Sequence, residues 1–263
     1  MSRSFLSRAA LRVLVCVSSF ALDVVLGLGY KICNAVRPRP APEAPAAAPS
    51  STGGAEAEDV RPALLLLHGS SGSQEQFLVS RFALEPHFRR VYAPDLLGAC
   101  DIPAYARQVR DFVERAGVRG PLVVVGLSMG GLVGAHFAET FARDADARVS
   151  VQGVFTVCSP FGGAPLLSLV PDALKPARHR DMTPRSAFLR ELRRRVRTSD
   201  TPYFMFGSDG DVHVPAEYSH LEKEAGYACG RRVQVHHRFG GHITMALRPA
   251  VYREIARLAQ TCR

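Results

Sequence analysis

The chain has 263 residues, 33 of them Lys or Arg and 24 Asp or Glu, which gives a formal net charge of +9. The positive excess is confined to residues 1–40 and 178–197, and the rest of the chain is slightly acidic. This distribution excludes the continuous basic surface by which proteins bind nucleic acids, so no nucleic-acid partner is expected. The six cysteines lack metal-ligand spacing and there is no Gly-rich nucleotide loop, so neither a metal nor a cofactor is expected.

The N-terminal segment combines basic and apolar residues in the order typical of membrane targeting. Three arginines in the first twelve residues precede an apolar run at residues 13–30, which contains one charged residue, Asp23. As a helix this run would extend about 27 Å, close to the ~30 Å hydrocarbon core of a bilayer. We predict residues 1–36 to be a membrane anchor or signal segment, and favour a signal-anchor because no A-x-A cleavage site follows the run directly. A cleaved signal peptide of a secreted protein and a mitochondrial presequence are the alternatives.

Composition separates this segment from the rest of the chain. Residues 37–62 are rich in Pro, Ala, Ser and Gly, which is typical of an extended linker. The remaining stretch, residues 63–263, is long enough for one domain with a sizeable core. The predicted organisation is therefore an anchor or signal segment, a linker and one domain.

Short apolar runs alternate with segments of helical periodicity throughout this domain. Such alternation is typical of buried parallel strands connected by helices, which is the α/β class. The predicted strands are, in chain order, residues 63–67, a short strand at the start of 91–98 that runs into a loop, 122–125, 154–157, 203–206 and 233–239, and a helical segment at 244–260 follows the last of them.

The third predicted strand ends in the pattern G-x-S-x-G, from Gly126 to Gly130, and a helical segment follows directly. A turn this tight requires very small residues two positions before and two after the serine. It leaves the Ser128 hydroxyl at a helix N-terminus, where developing negative charge is favoured. Ser128 is therefore the predicted nucleophile. The alternative is an ordinary Gly-rich turn with a capping serine.

The order of the motifs resembles that of the α/β-hydrolase superfamily, and within it that of small lipases and esterases. The first strand is followed by an HG-x-x-G loop beginning at His68, the third by the turn at Ser128, and the last by Gly241-His242. The resemblance covers about residues 61–260. It implies an α/β-hydrolase fold, with a mostly parallel central sheet of about six strands and helices on both faces.

A nucleophilic serine requires a base, and the base requires a buried carboxylate to orient it. His242 is the predicted base because it follows the last strand behind two glycines, in the family's order of serine, acid and histidine. Asp211 is the predicted acid because residues 211–215 resemble the family's D-x-x-V-P stretch. Asp209 is the main alternative, and Asp95 is a weaker one that more often braces its turn.

The resemblance also implies two backbone N–H donors for an oxyanion, those of Ser70 and Met129. The small residues at 69–73 suit a loop whose backbone approaches a substrate closely. His68 is expected to order this loop rather than to accept a proton.

A basic insertion at residues 164–200 separates the fourth and fifth predicted strands. It is interpreted as lid-like because this fold places such an insertion over the active site. Residues 186–196 predict an amphipathic helix with arginines around an apolar stripe. A lid or lipid-facing patch and an ordinary helix packed on the sheet are equally favoured. Three residues near the insertion are predicted to bind substrate: Phe161, which replaces the histidine of a similar lipase loop, Leu166 and Leu167.

These residues together predict a serine hydrolase of carboxylic esters, with lipid esters as the favoured substrates and a membrane surface as a partner. Thioesterase or amidase activity, deacylation of glycosylphosphatidylinositol-type lipids and a catalytically silent binding module are the alternatives. The sequence does not indicate an oligomeric state.

Overall fold

The computed structural model describes residues 60–70, 72–99, 101–221, 228–229 and 231–262. The predicted anchor or signal segment at residues 1–36 lies outside the described residues, and so does all of the linker before residue 60. Within the described part of the chain, no helix is both long enough and apolar enough to cross a bilayer.

One sheet forms the centre of the described domain. Its strands are β1 (Ala63–Leu67), β2 (Val91–Tyr92), β3 (Gly120–Leu127), β4 (Val149–Val157), β5 (Tyr203–Ser208), β6 (Ala228–Cys229) and β7 (Arg232–His237). They lie in the order β2-β1-β3-β4-β5-β7-β6, and every neighbouring pair is parallel except β6 and β7. The predicted mostly parallel sheet of about six strands is confirmed, with a two-residue antiparallel strand added at one edge.

Helices connect the strands. The α-helices are α1 (Leu78–Leu84), α2 (Ile102–Arg115), α3 (Met129–Thr140), α4 (Ala177–Asp181), α5 (Ala187–Thr198), α6 (Ala216–Ser219), α7 (His242–Leu247) and α8 (Pro249–Ala259). Short 3₁₀ helices cover Gln74–Phe77, Glu85–His87, Pro165–Leu169 and Asp172–Leu174. The single helix predicted at 244–260 is divided into α7 and α8, because Pro249 has no N–H to continue α7 and favours the first position of a new helix.

Both faces of the sheet are apolar and covered by helices. Alternate residues of a strand point to opposite faces. Leu65 and Leu67 of β1 pack with α2, α3 and α5 on one face. Leu64 and Leu66 pack with α1 and α8 on the other. This double covering explains why the strands are continuous apolar runs rather than alternating ones, and it confirms the predicted helices on both faces.

Helix α5 lies in the basic insertion and packs on the body of the domain. Leu189, Leu192 and Val196 are buried in the same cluster as β1 and α3. Ser186 caps the helix, because its hydroxyl accepts a hydrogen bond from the Leu189 N–H at 3.1 Å. The apolar stripe of α5 therefore has the position expected from the packed-helix alternative.

The parallel arrangement brings the chemically interesting loops to one edge of the sheet. In parallel strands the carboxyl ends meet at a common edge, which is where α/β folds bind ligands. The loops after β1, β3, β5 and β7 therefore converge, and these loops contain residues 68–73, Ser128, 209–215 and 238–242.

A buried carboxylate ties the far end of α3 to β5. Glu139 accepts hydrogen bonds from the hydroxyls of Tyr203 and Ser199, both at 2.6 Å. Arg143 completes an ion pair with Glu139 at 3.1 Å. Burial and the nearby negative charge of Glu139 raise the pKa of Tyr203 well above its usual range, so its hydroxyl stays protonated and donates. This network fixes the helix whose N-terminus follows Ser128.

Replacing Glu139 with Ala should lower the free energy of unfolding by about 2–4 kcal/mol, because two buried hydroxyls lose their acceptor. Urea denaturation followed by circular dichroism would measure the change. Glu191→Ala is the matched control. Glu191 also pairs with arginines, but on the exposed surface of α5, so its loss should leave the unfolding midpoint almost unchanged. Equal effects of the two substitutions would contradict a structural role for the buried network.

Candidate active site

Ser128 occupies a strained turn between β3 and α3, with φ 51° and ψ −122°. Its N–H donates to the Val157 carbonyl at 2.8 Å, which ties the turn to β4. Close packing requires the two glycines of the motif. A Cβ on Gly126 would overlap the first turn of α3, and one on Gly130 would overlap the Leu67 carbonyl oxygen. The Ser128 side chain therefore projects from the N-terminus of α3, where it meets the loop that follows β7.

The structure brings together the three residues predicted as nucleophile, base and acid. His242 Nε2 lies 2.9 Å from Ser128 Oγ, and His242 Nδ1 lies 2.7 Å from Asp211 Oδ2. Since Nδ1 faces a carboxylate, it carries a proton, and Nε2 is then the acceptor for the serine hydroxyl. Gly241, which is buried, precedes α7 in extended conformation and places His242 at the first position of that helix.

Asp211 is held as a buried carboxylate, with a side chain that is 0% exposed. Its Oδ1 accepts hydrogen bonds from the backbone N–H groups of His213 and Val214, at 2.9 and 2.8 Å. Burial alone would raise the pKa of Asp211. The charge and hydrogen bond of His242, together with the Val214 N–H, outweigh burial and hold the pKa below its ordinary value. The acid therefore remains ionised where it contacts the imidazole.

The two alternative acids have other partners. Asp209 Oδ2 lies 3.1 Å from Nε2 of His236, at the half-buried end of β5. Asp95 Oδ1 accepts a hydrogen bond from the Gln74 N–H at 2.7 Å, so it braces the loop after β1. The hydrogen bond of the His242 imidazole Nδ1 is made to Asp211.

His68 orders the loop after β1 from a buried position. Its Nε2 accepts a hydrogen bond from the Leu96 N–H at 2.8 Å, so Nδ1 carries the proton and donates to the Gly69 carbonyl at 2.8 Å. Burial lowers the pKa of His68, which keeps the ring neutral and suited to both roles. Gln76 completes the loop, since its Oε1 accepts from the Gly69 N–H at 3.0 Å. No motif in the sequence marks Gln76 for this role.

The predicted oxyanion donors belong to two segments that adjoin Ser128. Met129 is the first residue of α3, so its N–H has no acceptor within the helix. Ser70 follows Gly69, and a Cβ on Gly69 would lie 3.4 Å from the Ser128 Cβ. The loop after β1 therefore passes directly beside the serine, which is the approach that a backbone oxyanion site requires.

The basic insertion contacts this loop through α4. His179 Nε2 lies 3.3 Å from the Ser70 hydroxyl. Asp181, at the end of the same helix, accepts a hydrogen bond from the Ile102 N–H at 2.9 Å. Burial and the charge of Arg178 lower the pKa of His179, which favours a neutral ring beside Ser70. The sequence patterns did not single out His179, because its contact joins positions 109 residues apart.

The three residues predicted to bind substrate have different environments. Phe161 is 0% exposed and packs in the core with α3 and α5. A ring with no exposed surface offers none to a substrate in this structure, and the contact of Phe161 with substrate stays a prediction. Leu166 is exposed and Leu167 is half-buried, both in the 3₁₀ helix after β4. These two residues keep surface available at the carboxyl edge of the sheet.

One group of potential metal ligands occurs among the described residues. It consists of Cys158, Asp211 and His242, whose ligand atoms lie within 4.8 Å of one another. The two His242 nitrogens already face Ser128 and Asp211 at hydrogen-bond distance. A metal ion would have to replace the proton between His242 and Asp211, so the arrangement fits proton transfer better than metal binding.

Asp211→Asn should lower kcat by about 10²–10⁴, because an amide favours the wrong histidine tautomer and cannot stabilise an imidazolium. Steady-state kinetics on a p-nitrophenyl ester would measure the loss, with thermal unfolding as a check on folding. Asp209→Asn makes the same chemical change two residues away and should stay within a few-fold of wild type. A larger loss in Asp209→Asn would assign the acid to Asp209 instead.

Comparisons with solved structures find the same fold in hydrolases. A lipase from Bacillus licheniformis shares 14% identity, with 79% of this chain and 95% of that chain covered at a TM-score of 0.57. A monoacylglycerol lipase from Paleococcus ferrophilus shares 16% identity, with 77% and 96% covered at a TM-score of 0.55. Naproxen esterase (carboxylesterase NP) from Bacillus subtilis shares 15% identity, with 78% and 85% covered at a TM-score of 0.54. At these identities the likeness concerns the fold.

Among curated proteins, none matches the chain by sequence. The sequence pattern of the alpha/beta hydrolase family, however, matches residues 64–257, which is most of the chain and nearly all of the described domain. Both this match and the observed order of strands lead to one conclusion: the chain belongs to the α/β-hydrolase family.

Proposed function

We propose that the protein is a serine hydrolase of carboxylic esters, with lipid esters as its substrates. The observation that carries this proposal is the hydrogen-bonded series from Ser128 through His242 to Asp211, with distances of 2.9 and 2.7 Å. The series begins at a serine with strained backbone and ends at a buried, ionised carboxylate. Such an arrangement activates a hydroxyl that would otherwise be a weak nucleophile.

Acylation follows from the geometry. His242 Nε2 removes the proton from Ser128 Oγ as the oxygen attacks the ester carbonyl. The carbonyl oxygen becomes an oxyanion, which the N–H groups of Met129 and Ser70 stabilise. The positive charge on His242 is balanced by Asp211, so proton transfer leaves no unpaired buried charge. His242 then protonates the leaving alcohol, and an acyl-serine remains.

Deacylation uses the same groups in a second cycle. Water takes the place of the departed alcohol and gives its proton to His242 Nε2 while it attacks the acyl-serine. Collapse of the second oxyanion releases the carboxylic acid and returns the proton to Ser128. The protein's part in this chemistry is supplied by the side chains of Ser128, His242 and Asp211 and by backbone N–H groups.

Exposed apolar side chains near the site support a lipid substrate. Leu166, Leu169 and Leu174 are 46%, 80% and 74% exposed, in the segment that leaves the carboxyl end of β4. Leu97 and Phe239, after β2 and β7, are also more than half exposed. Exposed apolar surface on segments that leave the carboxyl ends of the strands favours acyl chains over polar substrates. The lipase and monoacylglycerol lipase among the structures of similar fold agree with this choice.

Mass spectrometry after treatment with a fluorophosphonate probe should locate the adduct on Ser128. Labelling should be lost in Ser128→Ala and kept in Ser168→Ala, an exposed serine of the nearby 3₁₀ helix. An adduct on another serine, or labelling that persists in Ser128→Ala, would contradict the assigned nucleophile. No labelling of the wild type would favour a silent binding module.

A second arm of the same experiment identifies the substrate class. Activity on p-nitrophenyl esters should rise with acyl chain length, since longer chains bury more apolar surface at about 0.8 kcal/mol per CH₂. Matched thioester, amide and acyl-inositol lipid substrates serve as comparators. Faster turnover of one of these than of the ester would reassign the reaction within the serine hydrolases.

We further propose that the N-terminal segment holds the enzyme at a membrane. The apolar run at residues 13–30 with basic residues before it is the supporting observation. Exposed arginines in the basic insertion, Arg180 and Arg185, would add attraction to anionic headgroups. The linker at 37–62 would let the domain reach lipid while the anchor stays in the bilayer.

Deleting residues 1–59 should release the enzyme from the membrane fraction and leave its kcat/KM on a soluble ester within a few-fold of the whole chain, because β1 begins only at Ala63. The full chain should resist a carbonate wash, which removes surface-bound proteins. A variant that lacks only residues 40–57 is the control, since it shortens the linker and keeps the apolar run. Release of the full chain by the wash would contradict the anchor and favour a cleaved or surface-bound segment.

A further inference from the structure

Cys158 lies at the end of β4, beside the acid of the proposed active site. β3 and β4 are paired through Leu127 and Val157, so Ser128 and Cys158 are the next residues on adjacent strands. The Cys158 N–H donates to the Phe206 carbonyl at 2.8 Å, which ties this position to β5, the strand that leads to Asp211. Cys158 is therefore placed between the strand of the nucleophile and the strand of the acid.

The backbone of Cys158 shares a positive φ with that of Ser128. In the part of the chain that the structure describes, these are the two residues other than glycine with positive φ, and both have φ 51°. Such conformations persist where surrounding contacts hold them, and they concentrate at functional sites. A buried thiol that served only to fill space would not need this conformation, because extended backbone accommodates an apolar side chain without strain.

The thiol is directed at the Asp211 carboxylate. Cys158 is 1% exposed, and its Sγ lies within 4.8 Å of the ligand atoms of both Asp211 and His242. At this distance the thiol can donate to the carboxylate, and its interaction with Asp211 is among the causes that hold the pKa of the acid below its ordinary value against the effect of burial. The other donors to the carboxylate are two backbone N–H groups and His242. The thiol is thus the one side chain besides His242 among the named donors to Asp211.

We propose that Cys158 is a positioning residue of this hydrolase, whose thiol donates a hydrogen bond to Asp211 and fixes the carboxylate in the orientation that holds His242. The thiol is buried and acts through Asp211, so it does not contact substrate. The consequence for catalysis rests on the proposed function, whereas the effect on the Asp211–His242 pair does not.

The sign of the pH effect follows from the donor role. A hydrogen bond to the ionised form favours that form, so its loss raises the pKa of Asp211. Asp211 and His242 titrate as a coupled pair. Without the thiol, the acid limb of the pH–rate profile, where the rate falls as the pH decreases, should therefore move to higher pH. The basic limb of the profile should be unchanged.

Cys158→Ala removes the donor, and Cys158→Ser replaces it with a hydroxyl that also donates. Cys262→Ala is the matched control. Cys262 is the other buried free cysteine among the described residues and packs in the same core cluster, beside Gly153 in the middle of β4. Its thiol donates to the Leu258 carbonyl at 3.6 Å. If Cys158→Ala does not fold, Cys158→Gly removes the thiol with a residue that accepts positive φ.

Two measurements on the full chain test the proposal. The first is the rate at which a fluorophosphonate labels Ser128 as a function of pH. The second is the far-downfield proton resonance of His242 Nδ1–H, which reports the bond to Asp211 without requiring any reaction. In Cys158→Ala, Ser128 should be labelled about tenfold more slowly near pH 7, and the acid limb of the pH–rate profile should lie about half a pH unit higher. The resonance of the His242 Nδ1–H proton should also shift. Cys158→Ser should recover the rate to within about threefold, and Cys262→Ala should match wild type in both measurements.

Each other outcome overturns a defined part of this scheme. If the labelling rate, the acid limb and the resonance of Cys158→Ala equal those of wild type, the thiol has only a packing role and the proposal is wrong. A loss in Cys158→Ser as large as in Cys158→Ala would do the same, because the donor would then be irrelevant. If wild type is not labelled at any pH, the proposed hydrolase function fails. In that case the His242 resonance by itself tests the positioning role. The role is supported if Cys158→Ala shifts the resonance and contradicted if the resonance is unchanged.

Discussion

The close approach of α3 to β1 is the constraint on which the rest of the structure depends. Helix α3 starts one residue after Ser128, and its first turn lies so near β1 and β3 that Gly126 and Gly130 have no space for a Cβ. The strained backbone of Ser128 costs of order 1–3 kcal/mol, which the buried strands on both sides and the network at Glu139 offset. In return, the hydroxyl is held at a helix N-terminus, within hydrogen-bond distance of His242.

The acid and the base are positioned by the same sheet. Parallel pairing of β5 with both β4 and β7 brings the loops that contain Asp211 and His242 to the carboxyl edge beside Ser128. Asp211 can be fully buried because every oxygen finds a donor, so its charge does not incur the full cost of desolvation. The ionised acid in turn fixes which nitrogen of His242 carries the proton. Backbone pairing, burial and proton position are therefore linked in one arrangement.

The basic insertion divides into parts with different surroundings. Helix α5 buries its apolar stripe against α3 and the sheet, and its arginines pair with Glu191 or with backbone carbonyls. The segment before it is less enclosed, with exposed leucines in the 3₁₀ helices and with His179 against Ser70. Periodicity alone could not separate these parts, because an amphipathic stripe looks the same whether it faces a core or a lipid surface. The contact of His179 with the loop after β1 makes α4 the part of the insertion that reaches the proposed site.

The sequence by itself determined the class of fold, the position of most strands and the identity of Ser128, because buried parallel strands and a Gly-flanked turn are local patterns with local causes. It also indicated His242 and Asp211 through their order, but two carboxylates two residues apart follow β5. Only the tertiary structure separated them, by pairing Asp209 with His236 and Asp211 with His242. Contacts between distant segments were likewise decided by packing: the buried ring of Phe161, the hydrogen bond of Gln76 to the loop and the thiol of Cys158 beside the acid. Such contacts depend on which loops the sheet brings to one edge, and a sequence pattern within a single segment does not predict which loops those are.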